Sequence, residues 1–215
     1  MAFSSASERL IRGNSRFRNR FGPKRISSHL KGQKPFAVII GCSDSRVPPE
    51  VLFDQVDDVG KLFVIRVAGN IVEEPSAMGS VEYAVEHLNV PLIIVLGHTS
   101  CGAVTEVVKG LSSGSSARHD IDRLMKCIRP YKELSGRAQL YGIELKDKET
   151  LKALASEDIE KAIQLMAEAN VDRQVNLLLE NHFVRLKKPE VLGLMYSLEN
   201  GRMRLVNEQG KRFRF

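Results

Sequence analysis

The chain has 215 residues, 43% hydrophobic and 27% charged, which is globular usage and excludes a disordered, collagen-like or low-complexity protein. At this length about 70% of the unfolded chain's surface is buried on folding, so a core forms without disulfides or metal, and three cysteines are too few for a disulfide framework. The formal charge of +6 is concentrated in residues 9–31 and 210–215, with no helix-turn-helix, zinc-finger or stacking pattern beside it, which argues against nucleic acid. No apolar run nears the roughly 18 residues that span a bilayer, and nothing reads as a secretory leader, so a cytoplasmic protein without a membrane partner is expected.

In chain order, the first strand is expected at 36–41, the second at 62–66 and the third at 92–97. Each is a short run of branched or aromatic residues, as suits strands covered on both faces of a parallel sheet. Between the second and third, Met78, Val81, Val85 and Leu88 recur at helical spacing over 76–89, with Ser76 as the expected cap. Residues 110–117 read as a Gly/Ser loop. Ser156-Glu157-Asp158 opens a longer helix, acidic in its first turn, whose apolar stripe takes in Ile159, Ile163, Met166, Val175, Leu178, Leu179 and His182. A strand at 191–196, a turn at Glu199-Asn200-Gly201 and an edge strand at 203–206 close the pattern. The expected class is α/β: a single domain over 1–215 with a central, mostly parallel sheet flanked by helices.

Chemistry-bearing residues follow two of these strands directly, as Gly41-Cys42-Ser43-Asp44-Ser45-Arg46 and Gly97-His98-Thr99-Ser100-Cys101-Gly102. In an open parallel sheet, functional groups gather at the strand ends where strand order reverses, so Cys42, His98 and Cys101 can converge. Two thiolates and an imidazole are a zinc set, and three such ligands with a carboxylate two residues away, Asp44, leave an open or gated fourth position. An iron–sulfur cluster would need four cysteines. The rival reading makes Cys42 a covalent nucleophile and His98 its base, and it leaves Cys101 without a role. Cys127 reads as an inert thiol, and His29, His87, His119 and His182 as structural or surface residues. Residues 110–116 lack a phosphate-loop pattern.

Cys42-x-Asp44-x-Arg46 with His98-x-x-Cys101-Gly102 resembles the signature of the β-class carbonic anhydrases. The likeness extends through Leu10-x-x-Gly13-Asn14-x-Arg16-Phe17, Gly32-Gln33-x-Pro35, Arg66-x-Ala68-Gly69-Asn70 and Gly79-Ser80-x-Glu82-Tyr83-Ala84, and is close from residue 7 to about 110. It implies an N-terminal helical arm over 1–31, a zinc-site core over 32–110, and a helical segment with C-terminal strands over 111–215. It also implies reversible hydration of CO2 to bicarbonate and a proton by a zinc-bound hydroxide, with one Zn²⁺ per subunit on Cys42, His98 and Cys101. Asp44 and Arg46 match the catalytic dyad, and Gln33, Gly102 and Tyr83 the substrate pocket. Family members are dimers or assemblies of dimers, so self-association is expected. His87, His119 and Tyr83 are candidates for carrying the proton to buffer. Two alternatives stay open: hydrolysis of carbonyl sulfide or carbon disulfide at the same site, and a non-catalytic protein with structural zinc.

Overall fold

The computed structural model describes residues 5–113, 126–128, 138–139, 148–208 and 211–212. The chain forms two compact units, Met1–Lys34 and Pro35–Phe215. The first is the helix α1, Ser5–Ser27. Its regular path breaks at Gly22, whose φ of 73° precedes Pro23, because proline both lacks an N–H and disfavours a helical residue before it. Phe21 is its buried residue, stacked on Phe17 at 4.5 Å and covered by the Arg25 guanidinium at 4.4 Å.

The second unit is built on a six-stranded sheet. Its strands are β1 (Ala37–Gly41), β2 (Leu62–Arg66), β3 (Leu92–His98), β4 (Glu190–Tyr196), β5 (Met203–Glu208) and β6 (Lys211–Arg212), in the spatial order β2-β1-β3-β4-β5-β6. The pairs β1–β2, β1–β3 and β3–β4 are parallel, with Val38 opposite both Phe63 and Ile93 and Ile93 opposite Val191, while β5 and β6 add antiparallel pairs. All five residues of β1 are buried, as a central strand of a covered sheet requires. Val38 and Ile40 face a large core with Ile93 and Val95. Ala37 and Ile39 face a smaller one with Ile94, Leu96 and the flanking Leu52 and Phe53.

The connecting helices are α2 (Pro49–Leu52), α3 (Pro75–Glu86), α4 (Gly102–Ser113), α5 (Lys148–Glu157), α6 (Ile159–Glu180) and α7 (His182–Lys187). Several expectations need correction. Helix α3 starts at Pro75, not on a Ser76 cap, since proline's fixed φ suits the first helical position and its missing N–H costs nothing there. Helix α4 runs through Gly110 to Ser113, where a loop was expected, because Val104, Val107 and Val108 bury one side of it and packing overrides the weak propensity of glycine and serine. Residues 114–117 lie outside the described residues. The helix expected from Ser156 opens instead at Asp158, whose carboxylate accepts the Lys161 N–H at 2.9 Å. It stops before Asn181, which caps α7, so His182 is an exposed first residue of the next helix and not part of the stripe.

Helix α6 lies close on the sheet because two strand positions carry no side chain. A Cβ on Gly193 would sit 2.7 Å from Val171 Cγ1 and 3.0 Å from Asn207 Cβ, and one on Gly97 would sit 2.6 Å from Val171 Cγ2. Gly193→Ala is therefore expected to destabilise the protein by about 1–3 kcal/mol, because the stiff β-branched Val171 and the Asn207 Cβ would both have to give way. Thermal unfolding checks this: Tm should fall by about 2–4 °C for each kcal/mol, and an unchanged Tm would show that the helix lifts freely.

Candidate metal centre

The order β2-β1-β3-β4 means that the chain leaves β1 towards one side and β3 towards the other, so the carboxyl ends of these two neighbours form the switch point of the sheet. Cys42 follows β1, His98 ends β3, and Cys101 leads into α4. The connection between the last two is fixed at each residue. Thr99 N–H donates to the Tyr196 carbonyl at 2.9 Å and Thr99 Oγ1 accepts from Leu198 N–H. Ser100 then turns the chain with a left-handed φ of 53°. The Cys101 carbonyl accepts from both the N–H and the hydroxyl of Thr105 at 2.9 Å, which locks the first turn of α4.

Among the described residues, Cys42, His98 and Cys101 form a group of potential metal donors, all buried, with their donor atoms within 4.8 Å of one another. The two sulfurs are 3.9 Å apart. Sulfurs about 2.3 Å from one tetrahedral zinc would lie about 3.8 Å apart, so the spacing fits that ion. His98 Nδ1 is 2.9 Å from the Thr99 carbonyl, while buried Nε2 has no hydrogen-bond partner. A proton on Nδ1, donated to that carbonyl, leaves the Nε2 lone pair free to ligate, which is the arrangement a metal-binding imidazole needs.

The electrostatics agree. The Cys42 thiol is lowered to about 4 by the hydrogen bond from Cys101, against burial, with further help from His98 and the N–H groups of Gly69 and Asp44. Cys101 is pushed up by the same bond to Cys42, by burial and by the Cys42 charge. With protons alone, the pair holds one negative charge. A dication between the sulfurs removes that restriction and lets both ionise, so the donor set fits zinc in charge as well as in spacing.

Asp44 stands beside this group and is committed to Arg46. Its Oδ1 accepts from the Arg46 backbone N–H and Nε–H, both at 2.9 Å, and its Oδ2 from Nη2 at 2.6 Å. This forked pair holds the Asp44 carboxyl well below the usual carboxylate range. Arg46 Nη2 also donates to the Ser100 carbonyl at 3.1 Å, tying the Cys42 turn to the His98–Cys101 turn.

Gly102 is exposed at the start of α4. Tyr83 is an exposed residue of α3, its ring 6.3 Å from that of Phe63 and 5.2 Å from that of His87. Gln33 is an exposed residue of the N-terminal unit, as is His29. Cys127 is half-buried, its thiol raised by burial and by Glu73 and Glu74. His87 is exposed, and His119 lies outside the described residues. Sequence reasoning missed the supports of Cys42. Arg66 Nε donates to the Cys42 carbonyl at 2.9 Å and its Nη2 to that of Asp44. Gly69 N–H reaches the Cys42 sulfur at 3.3 Å, and Asn170 of α6 holds the Gly69 carbonyl at 2.7 Å. Arg66 and Gly69 stand in the Arg66-x-Ala68-Gly69-Asn70 motif, whereas Asn170 is one of several polar residues of α6 and carries no local signal.

Comparison with known proteins points the same way. A family profile described as carbonic anhydrase matches residues 37–203. Carbonic anhydrase 2 of Mycobacterium tuberculosis is 54% identical over 84 residues, covering 39% of this chain and 39% of that protein. The match thus spans about two fifths of that relative's length. The carbonic anhydrase of Helicobacter pylori strain J99 is 30% identical over 183 residues, covering 80% of this chain and 76% of that protein. Among solved structures, a tetrameric β-carbonic anhydrase of Sordaria macrospora superposes with a TM-score of 0.74 over 95% of this chain and 98% of that one. At 24% identity, that is a likeness of fold.

Proposed function

The chain belongs to the β-carbonic anhydrase family, and on that premise we propose that it catalyses the reversible hydration of CO2 to bicarbonate and a proton, with one zinc ion held by Cys42, His98 and Cys101. The observation that carries this reading is that three buried donors converge while the nearby carboxylate, Asp44, is bound to Arg46 instead of turned in as a fourth ligand. A structural zinc site closes with four protein ligands, whereas three leave a position for chemistry. Zinc bound there lowers the pKa of a coordinated water and so supplies a nucleophile near neutral pH.

The chain's own residues then have limited work, because CO2 is small, linear and uncharged. The net reaction adds a water oxygen to the carbon of CO2 and releases one proton to buffer. Asp44 accepts a hydrogen bond from the attacking oxygen's remaining proton, which aims a lone pair at the carbon. Arg46 fixes the plane of the Asp44 carboxylate through the fork, and its bond to Ser100 keeps that geometry in register with Cys101. Gln33, Gly102 and Tyr83 are assigned to the substrate pocket on their motif positions, and Tyr83, His87 and His119 stay the candidates for carrying the proton.

Self-association as a dimer or an assembly of dimers is part of the proposal. It is supported by β2 being the edge strand of the sheet among the described residues and by the exposure of Phe36, Val56, Val59 and Tyr83. A reducing, cytoplasmic setting is supported by three cysteines that are all free thiols. No helix among the described residues is long and apolar enough to cross a membrane.

Stopped-flow assays of zinc-quantified protein on CO2 and on carbonyl sulfide test the function. CO2 hydration proportional to bound zinc is expected, and hydrolysis of carbonyl sulfide alone would transfer the site to the alternative reaction. The pH profile adds a second check. Cys42 and Cys101 as thiolates, with ionised Asp44 beside them, oppose a further negative charge at the site. The apparent pKa in kcat/KM is therefore expected above the ~7 of a three-histidine zinc site. A rate already maximal and flat at about pH 6.5 would contradict this charge argument.

A further inference from the structure

Building on the zinc reading above, we propose that Asn170 and Gln174 of α6 are positioning residues for the Cys42 sulfur, acting through the main chain of residues 69–72. Cys42 Sγ accepts the Gly69 N–H at 3.3 Å. The direction of that N–H depends on an unusual loop, in which Gly69 and Asn70 in succession have left-handed φ values of 75° and 48°. Asn70 is not a glycine, and backbone of this kind persists only where its surroundings over-determine it.

Two amides one helical turn apart supply that constraint. Asn170 Nδ2 donates to the Gly69 carbonyl at 2.7 Å, and Gln174 Nε2 donates to Asn170 Oδ1 at 3.1 Å. Gln174 Oε1 in turn accepts the Val72 N–H at 2.8 Å. One amide therefore grips the start of the loop and the other its end, while the bond between them fixes both side chains. Ile128 closes the space beside Gly69, since a Cβ there would meet its Cδ1 at 2.4 Å. Asn70, Asn170 and Gln174 are all buried, so water cannot replace a lost partner.

Packing alone does not account for these residues, because an aliphatic side chain would fill the same places on a helix whose neighbours Val171, Val175 and Leu178 are apolar. Amides supply both a donor and an acceptor, and here each capacity is spent on the loop or on the other amide. An N–H bond to a thiolate ligand draws charge from the sulfur and orients it, and outer partners of this kind set metal affinity. Residue 170 thus governs the metal site without touching it.

The test uses the full-length chain loaded with cobalt, read by its thiolate-to-metal absorption band, together with zinc affinity from chelator competition. In Asn170→Ala the loop loses its hold, the Gly69 N–H turns from the sulfur, and the band should move to lower energy with zinc affinity down about 10- to 100-fold. Val85→Ala, a cavity at the far end of α3, should lower Tm while leaving band and affinity at parent values. If Asn170→Ala does not fold, Gln174→Met keeps the length without the amide and should shift both readouts in the same direction by less. Parent-like band and affinity in whichever of these variants folds, or an equal shift in Val85→Ala, overturns the relay. Absence of a thiolate band in the parent protein would instead overturn the zinc assignment on which the relay rests.

Discussion

Cys101→Ala and His98→Ala should each lose zinc and CO2 hydration together. Four-ligand zinc sites in small domains bind with about 10–16 kcal/mol, so each ligand is worth roughly 2.5–4 kcal/mol and its loss weakens binding about 100- to 1,000-fold. The fold should survive. The core is built from Val38, Ile40, Ile93 and Val95 against the helices, and removal of zinc with a chelator should abolish activity while leaving circular dichroism unchanged. Cys127→Ala is the internal control and should keep both metal and rate, since Cys127 lies apart from the Cys42, His98 and Cys101 donors. Elemental analysis after dialysis decides the matter: a Cys101→Ala protein that retains one zinc per chain would remove Cys101 from the ligand set.

Much of this site was legible because strand ends are legible. The runs at 36–41, 62–66 and 92–97 are short, branched and apolar on successive residues, as suits strands covered on both faces, and β1, β2 and β3 lie within a residue of them, although β2 at the sheet edge is only half-buried. Once the strands are placed, Cys42 and His98 fall at neighbouring carboxyl ends without any knowledge of contacts 56 residues apart in sequence. Helix boundaries were less legible. Ser76 carries the usual capping chemistry, but Pro75 had already fixed the first helical φ, and Asp158 took the cap expected within Ser156-Glu157-Asp158 because its carboxylate reaches Lys161 N–H. The buried polar side of α6 could not be read at all from the local pattern. Glu168, Asn170, Asp172 and Gln174 are fully buried, and their partners Arg204, Gly69, Asn207 and Val72 are 35 to 102 residues away. Two of those partners are backbone groups, the Gly69 carbonyl and the Val72 N–H, and a backbone acceptor or donor has no signature in sequence.

Asp44→Asn should retain zinc and lose about 100-fold or more in turnover, because a small misplacement of an attacking atom costs that much. The substitution is nearly isosteric, yet it changes what the side chain can do at both ends. In the parent, Oδ1 and Oδ2 together accept three N–H groups of Arg46. An asparagine presents an NH2 in place of one oxygen, and because Arg46 donates to both positions the NH2 opposes either Nη2–H or the Nε–H and backbone N–H, donor against donor in each case. The side chain is thereby pushed out of the fork, and its NH2 can only donate to the attacking oxygen's lone pair where the carboxylate accepted its proton. Arg46→Ala separates orientation from charge. Losing the guanidinium lets the Asp44 carboxyl rise from its depressed position towards the ordinary carboxylate pKa of about 4. It therefore stays ionised at any assay pH above neutrality, and any fall in rate must come from the lost fork and the lost tie to Ser100, not from protonation. The expected loss is smaller than for Asp44→Asn, since the carboxylate can still accept the hydrogen bond part of the time. Rates at saturating CO2, normalised to measured zinc, check the pair, and parent-like turnover in Asp44→Asn would show that the carboxylate does not orient the attacking oxygen.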